Sequence, residues 1–133
     1  MIKLDVDQLS RGVAIFILNE LGEILLLLRS AGSQIGFWEI PSGHVKNGEG
    51  EIDTVVREVK EEAGLDIVDL IEIGINEDRS LGFMTTIYKT KNFSGIAENL
   101  EKDQHSDMKW FSFNKLPENI GSTTKKGLEL LSK

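Results

Sequence analysis

The sequence predicts a single domain, residues 1–133, with an α+β or α/β sandwich fold. Three observations support this class: apolar runs typical of strands come first, a long stretch with helical periodicity follows, and further strand patterns precede a second helical stretch. A chain of 133 residues can bury one hydrophobic core. Its composition, 40% hydrophobic and 28% charged, is that of an ordinary globular protein.

The first third of the chain has the pattern of strands joined by turns. Residues 12–18, GVAIFIL, are an apolar run rich in β-branched side chains, and residues 19–22, NELG, are turn formers. Residues 23–29 form the next strand, so we predict a β-hairpin. Residues 37–40 are predicted as a short strand, and residues 41–50 as a glycine-rich loop.

A helix is predicted from Glu51, where apolar residues recur at helical spacing: Ile52, Val55, Val56, Val59 and Ala63. Gly64 is well placed to end this helix. Three strands and one helix are predicted to follow, at residues 66–75, 81–89, 108–113 and 122–131. In the last helix, Leu128 and Leu131 should face the core.

Composition and charge exclude several classes of protein. The absence of cysteine rules out disulfides and thiolate metal sites. A formal net charge of −7 disfavours attraction to a nucleic-acid backbone, so we expect small-molecule partners and no nucleic-acid polymer. The longest aliphatic run, residues 24–28, is far shorter than the roughly 20 residues that span a bilayer. We therefore expect a cytoplasmic protein without a membrane partner.

The first predicted helix carries Glu58, Glu61 and Glu62 on one flank of its apolar stripe. Like charges at this spacing destabilise a helix by about 0.2–0.5 kcal/mol per pair. One interpretation is a solvated acidic face, which the helix alone favours. The other is a site for a hard cation such as Mg²⁺ or Mn²⁺, because these ions prefer carboxylate oxygens.

The loop before the helix favours the cation site. A glycine-rich loop that runs into a helix lets the backbone approach a phosphate or a metal closely. This loop is not a P-loop, because Glu49 occupies the position of the required lysine. Gly43, Glu49 and residues 57–65, REVKEEAGL, instead fit the pattern GX5EX7REUXEEXGU, in which U is aliphatic. This pattern is the Nudix box, and the chain resembles MutT-like members of the Nudix hydrolase family.

The resemblance extends beyond the box to most of the chain. Its flanking marks are residues 38–41 (WEIP), 110–111 (WF) and 116–117 (LP). It implies an α/β/α sandwich around a central mixed β-sheet. It also implies a pyrophosphohydrolase that uses Mg²⁺, or Mn²⁺ in its place, to help water cleave a nucleoside diphosphate linked to another group. Many relatives are homodimers, so the resemblance allows a homodimer here.

Roles for the box residues follow from the same resemblance. It implies that Glu58, Glu61 and Glu62 bind metal and that a glutamate of this cluster assists the attacking water. The backbone carbonyl of Ser42 would bind a metal as well, although many relatives have glycine there. Arg57 would pair with acidic groups of the box and hold the catalytic side chains in place, with Glu49 in a supporting position.

Several further residues have two interpretations each. Arg29 would contact substrate phosphates or lie on the surface. Among the charged residues 101–107, Glu101 is the first choice for a distal metal-binding carboxylate and Asp107 the second, with a solvated charge run as the alternative. His105 would be a base or a surface residue. The aromatic candidates for stacking on a nucleobase, with core packing as the favoured alternative, are Phe37, Trp38 and Phe83.

The only indication of the substrate's identity comes from residues that the sequence lacks. Relatives that hydrolyse ADP-ribose or dinucleoside polyphosphates carry a proline or a tyrosine shortly after the box. This chain has no proline between Pro41 and Pro117, and Tyr88 lies too far along. These absences favour a nucleoside triphosphate or a nucleotide sugar. The alternatives are ADP-ribose, a dinucleoside polyphosphate, or a non-catalytic nucleotide-sensing module.

Overall fold

The computed structural model describes residues 8–133 and has nine strands and two helices in that range. In chain order these are β1 Ser10–Ile17, β2 Ile24–Arg29, β3 Trp38–Glu39, β4 Ser42–His44, α1 Glu51–Ala63, β5 Asp66–Ile67, β6 Ile71–Asp78, β7 Phe83–Thr90, β8 Phe93–Ser94, β9 His105–Phe111 and α2 Ser122–Leu131. The four-stranded sheet has the order β4-β1-β7-β6, and it is mixed because β1 and β7 are parallel. A second, antiparallel sheet has the order β3-β2-β9, and β5 pairs with β8. The predicted fold class, with a mixed central sheet, is confirmed.

The predicted β-hairpin of residues 12–18 and 23–29 is wrong. β1 pairs with β4 and β7, whereas β2 pairs with β3 and β9. The turn itself forms, because Asn19 Oδ1 accepts hydrogen bonds from the N–H groups of Leu21 and Glu23. Within the described residues, β1 and β2 are linked by one bridge, from Leu18 to Ile24. The turn residues reverse the chain, but the pairing of each strand depends on the burial of its side chains in the two hydrophobic clusters.

Both faces of β1 are buried, each under a different helix. Val13, Ile15 and Ile17 pack in one hydrophobic cluster with α1, and Ala14 and Phe16 pack in the other with α2. This explains why the strand is apolar from Val13 onwards instead of alternating. The α2 side chains that pack against the second cluster are Leu128, Leu130 and Leu131, as predicted for Leu128 and Leu131.

α1 has the predicted limits, but its buried face is shifted from the apolar stripe. The stripe residues Ile52 and Val56 are 56% and 39% exposed. Thr54 and Glu62, at 0% and 3%, are buried beside the rest of the stripe. The sheet covers only a narrow strip of the helix, and its position is fixed by contacts with β1 and β4. The helix ends at Gly64, whose φ of 72° is left-handed.

Other boundaries differ modestly. The predicted strand 66–75 is two strands, β5 and β6, and the predicted loop 41–50 contains β4. β9 begins three residues earlier than predicted, at His105 instead of residue 108, because it continues its pairing with β2 through a bulge. No helix within residues 8–133 is long and apolar enough to cross a bilayer.

Candidate active site

A cavity of about 400 Å³ opens where β1, β4, α1 and the ends of β2 and β9 meet. This volume is within the range usual for small-molecule sites. Of the candidate catalytic, metal-binding and substrate-binding residues, seven line it: Arg29, Ser42, Glu58, Glu62, Phe83, Glu101 and His105. The fold therefore brings two carboxylates of the box together with Glu101 and His105, which lie 39–47 positions further along the chain.

Other candidates are not among the residues that line this cavity. Trp38 packs edge-on against Phe111, with ring centroids 4.9 Å apart, and contacts the second hydrophobic cluster. The core-packing interpretation therefore describes Trp38. Phe37 is 39% exposed, and the Asp107 carboxylate lies 3.8 Å from the ammonium group of Lys109. Stacking of Phe37 on a nucleobase stays a prediction.

Glu62 is the buried carboxylate of the site. Its exposed fraction is 3%, and its Oε1 accepts a hydrogen bond of 3.2 Å from the N–H of Ser42. Burial raises its pKa well above the ordinary value, and the nearby charges of Glu58 and Glu101 raise it further. Burying a carboxylate on these terms is costly unless a cation offsets the charge.

Arg57 holds three of the box glutamates in place. Its Nε donates to Glu49 Oε2 at 2.8 Å, and its Nη1 lies 2.7 Å from Glu58 Oε1 and 3.3 Å from Glu61 Oε2. The hydrogen bond from Arg57 is the main reason that the pKa of Glu49 falls to about 2. Glu49 also accepts from the Thr54 hydroxyl at 2.8 Å, so its oxygens serve the loop and helix rather than the cavity.

Gly43 explains why the box begins with glycine. The side chain of Glu58 lies directly against its Cα, so that an added Cβ would lie 2.6 Å from Glu58 Oε1 and nearer still to Cδ and Cγ. With the Glu58 side chain in its observed position, only glycine fits at this point of β4. Burial raises the pKa of Glu58, while its hydrogen bond to Arg57 opposes the shift.

Glu101 reaches the cavity because its loop is tied to the C-terminal end of α1. The N–H groups of Glu98 and Leu100 donate to the carbonyls of Ala63 and Glu62, each at 3.0 Å. These are carbonyls that a helix end otherwise leaves without partners. Burial, followed by the charges of Glu61 and Asp103, raises the pKa of Glu101. The sequence named Glu101 as a candidate but contained no signal for this docking.

Two residues at the opposite end of the cavity were missed. Glu39 Oε1 accepts hydrogen bonds from the N–H and the hydroxyl of Thr124, at 3.1 and 2.6 Å. Gln34 Oε1 accepts from the N–H of Ser122 at 3.0 Å, so both side chains cap the start of α2. Burial raises the pKa of Glu39. They could not be found from the sequence, because they lie more than 80 positions from the helix that they cap.

The chemistry of this donor set fits a hard divalent cation. Glu58, Glu62, Glu101 and the Ser42 carbonyl offer only oxygen, and burial raises the pKa of all three carboxyl groups. As the side chains stand, no three acidic or histidine residues in the described range are arranged to enclose an ion. Glu58 is turned towards Arg57, and Glu62 towards the Ser42 N–H.

Comparison with known proteins finds similar sequences and similar structures. The family model described as NUDIX domain matches residues 8–131. The crystal structure of a MutT NUDIX hydrolase from Burkholderia pseudomallei superposes with a TM-score of 0.85 and 28% identity, covering 92% of this chain and 97% of that one.

Two curated relatives are much longer proteins. An mRNA-decapping enzyme subunit 2 from Saccharomyces cerevisiae is 33% identical over 111 residues, which are 80% of this chain and 11% of the yeast protein. An 8-oxo-dGDP phosphatase NUDT18 from Mus musculus is 31% identical over 97 residues, 71% of this chain and 28% of the mouse protein. The similarity therefore concerns one domain of each relative.

Proposed function

Because this chain belongs to the Nudix hydrolase family, we propose that it uses a divalent metal ion to cleave a diphosphate bond in a small nucleoside di- or triphosphate derivative. Members of this family generally use divalent metal ions. The observation that carries the proposal is the cavity in which Glu58, Glu62 and Glu101 lie together with Arg29. A diphosphate needs both cation-binding carboxylates and a cationic contact of this kind.

The residues of this chain would divide the work between binding and proton transfer. Glu58, Glu61, Glu62 and the Ser42 carbonyl would hold the metal, and Glu101 would complete the set from its loop. When bound, Mg²⁺, or Mn²⁺ in its place, polarises phosphate oxygens and neutralises charge that repels an incoming nucleophile.

Proton transfer would belong to the glutamates that Arg57 orients. Glu58 is the stronger candidate for the base, because it lines the cavity and its Oε1 lies 2.7 Å from Arg57 Nη1, which fixes its orientation. Glu61 is 46% exposed at its side chain, so it would act at the rim of the site. Arg57 would keep both carboxylates aimed without contacting the substrate.

A nucleoside triphosphate or a nucleotide sugar remains the favoured substrate. A cavity of about 400 Å³ is suited to one small molecule. The name of the mouse relative adds 8-oxo-dGDP to the compounds worth testing, and that of the yeast relative adds capped mRNA. The net charge of −7 argues against the polymer.

The test is a substrate panel assayed for phosphate and pyrophosphate release with Mg²⁺ and with Mn²⁺. It should include nucleoside triphosphates, 8-oxo-dGDP, nucleotide sugars, ADP-ribose, dinucleoside polyphosphates and a capped RNA. Glu62→Gln, which keeps the shape of the side chain, is the control for contaminating activity. Absence of any release that depends on Glu62 would reject the hydrolase. Binding of a nucleotide by calorimetry without turnover would instead support a sensing module.

A further inference from the structure

A β-bulge beside the cavity determines which side chain faces Arg29. β2 and β9 pair in regular register from Ile24 with Phe111 to Leu28 with Asp107. The next pair is Arg29 with His105, so Ser106 is an extra residue in β9. A bulge changes the face on which the following side chain lies. Without it, Ser106 would stand opposite Arg29.

The bulge gives His105 an unusual environment for a loop-edge histidine. It is 7% exposed and lines the cavity. In the described part of the chain, its Nδ1 is enclosed and has no hydrogen-bond partner, whereas Nε2 is neither enclosed nor hydrogen-bonded. Only Nε2 is therefore available to a molecule in the cavity.

Arg29 has donors to spare at the same place. A guanidinium carries five N–H donors. Its Nε donates to the Ser33 carbonyl at 2.7 Å and its Nη2 to the Ala31 carbonyl at 3.2 Å, which leaves about three for a ligand. Directly opposed residues on antiparallel strands have Cβ atoms about 5 Å apart. One phosphate group can therefore reach both side chains.

We propose that His105 and Arg29 form a paired anion subsite for one phosphate group of the substrate, with His105 Nε2–H as a donor beside the guanidinium. This subsite rests on the proposed function and specifies how that phosphate is bound. Because Nδ1 is enclosed and has no partner, Nε2–H is the donor that His105 can offer to the cavity.

This role of His105 differs from that of a general base, which the sequence allowed for it. His105 binds and positions a phosphate oxygen, and it takes no proton from water. Its loss should therefore raise KM and the Kd for a phosphate ligand more than it lowers kcat.

The experiment measures binding of inorganic pyrophosphate by calorimetry in the presence of a chelator, so that it requires neither metal nor turnover. His105→Leu should weaken binding about tenfold, the usual effect of losing one hydrogen bond. His105→Gln, which restores an N–H donor, should recover binding to within about threefold of the unmodified protein. Ser106→Ala alters the exposed neighbour in the same bulge and should leave binding unchanged.

Arg29→Ala should weaken pyrophosphate binding more than His105→Leu does, and the double variant should lose less than the product of the two effects because both donors serve one ligand. A ¹⁵N spectrum of the unmodified protein should show the His105 Nε2 signal move on titration with pyrophosphate. Unchanged binding in His105→Leu, or an unmoved Nε2 signal, overturns the subsite. If pyrophosphate binds as expected but no nucleotide is hydrolysed, the proposed function fails and the subsite stands.

Discussion

Replacing Gly43 by alanine should disable the site without unfolding the protein. The added Cβ would lie 2.6 Å from Glu58 Oε1, whereas ordinary van der Waals contact begins near 3.4 Å, so the carboxyl group must move by about 1 Å. A displacement of this size in a catalytic group costs about 10²-fold in rate, or about 2.7 kcal/mol. Gly43 does not have a left-handed φ, and the obstructing atoms belong to a side chain, so the backbone can stay in place.

The assay is kcat/KM on the best substrate of the panel, with thermal unfolding measured in parallel. Gly50→Ala is the matched control in the same loop, because its φ is −78° and its nearest neighbour is an Asp53 oxygen at 3.5 Å. We expect Gly50→Ala to keep normal activity and Gly43→Ala to lose about 10²-fold at a nearly unchanged Tm. Activity within threefold of normal in Gly43→Ala would refute the placement of Glu58 in the reaction.

Three other predictions concern the carboxylates and their partners. Glu62→Gln should abolish most activity and leave the fold intact; near-normal turnover would contradict the metal assignment. Because burial raises the pKa of Glu62, its contribution to stability is present below the ordinary value of 4.5 and is lost as pH rises through the folded-state pKa. The Tm of the metal-free protein should thus fall more between pH 5 and pH 8 than that of Glu62→Gln, and equal slopes would count against burial of this charge. Mg²⁺ or Mn²⁺ at about 100 times its Kd should add about 2.7 kcal/mol to the free energy of unfolding at pH 8, and much less in Glu62→Gln. A Tm that neither ion changes would exclude the metal site. Arg57→Lys removes the guanidinium that contacts both Glu49 and Glu58, so kcat/KM should drop at least about tenfold. The control Lys126→Ala breaks only an exposed pair with Glu129 and should change neither activity nor Tm. Equal behaviour of the two variants would show that Arg57 is not an organising residue.

Local patterns predicted the helices well. α2 has the predicted limits of residues 122–131, and α1 begins at Glu51 and stops before Gly64 as expected. These limits follow from contacts between residues three or four apart and from a left-handed glycine, all within one short segment. The hairpin prediction failed because turn residues indicate only that the chain reverses. They do not indicate which strands will pair with the two edges of β1 and β2.

For the site, spacing alone identified the box from Gly43 to residue 65 and the glutamates that it contains. It could not tell that Glu62 is buried while Glu61 is partly exposed, because both stand at the edge of the same helical stripe. That difference depends on how far the sheet covers α1, which is set by β1 and β4.

The residues that complete the cavity depend on contacts remote in sequence. Glu101 is placed by a loop that bonds to the end of α1, and His105 by a bulge between two strands that are about 75 residues apart. Neither contact leaves a local periodic signal. Local patterns in the sequence therefore predicted the limits of the helices and the acidic cluster on α1, since both arise within a few turns. Which side chains meet that helix across the cavity follows from burial and strand pairing over the whole domain.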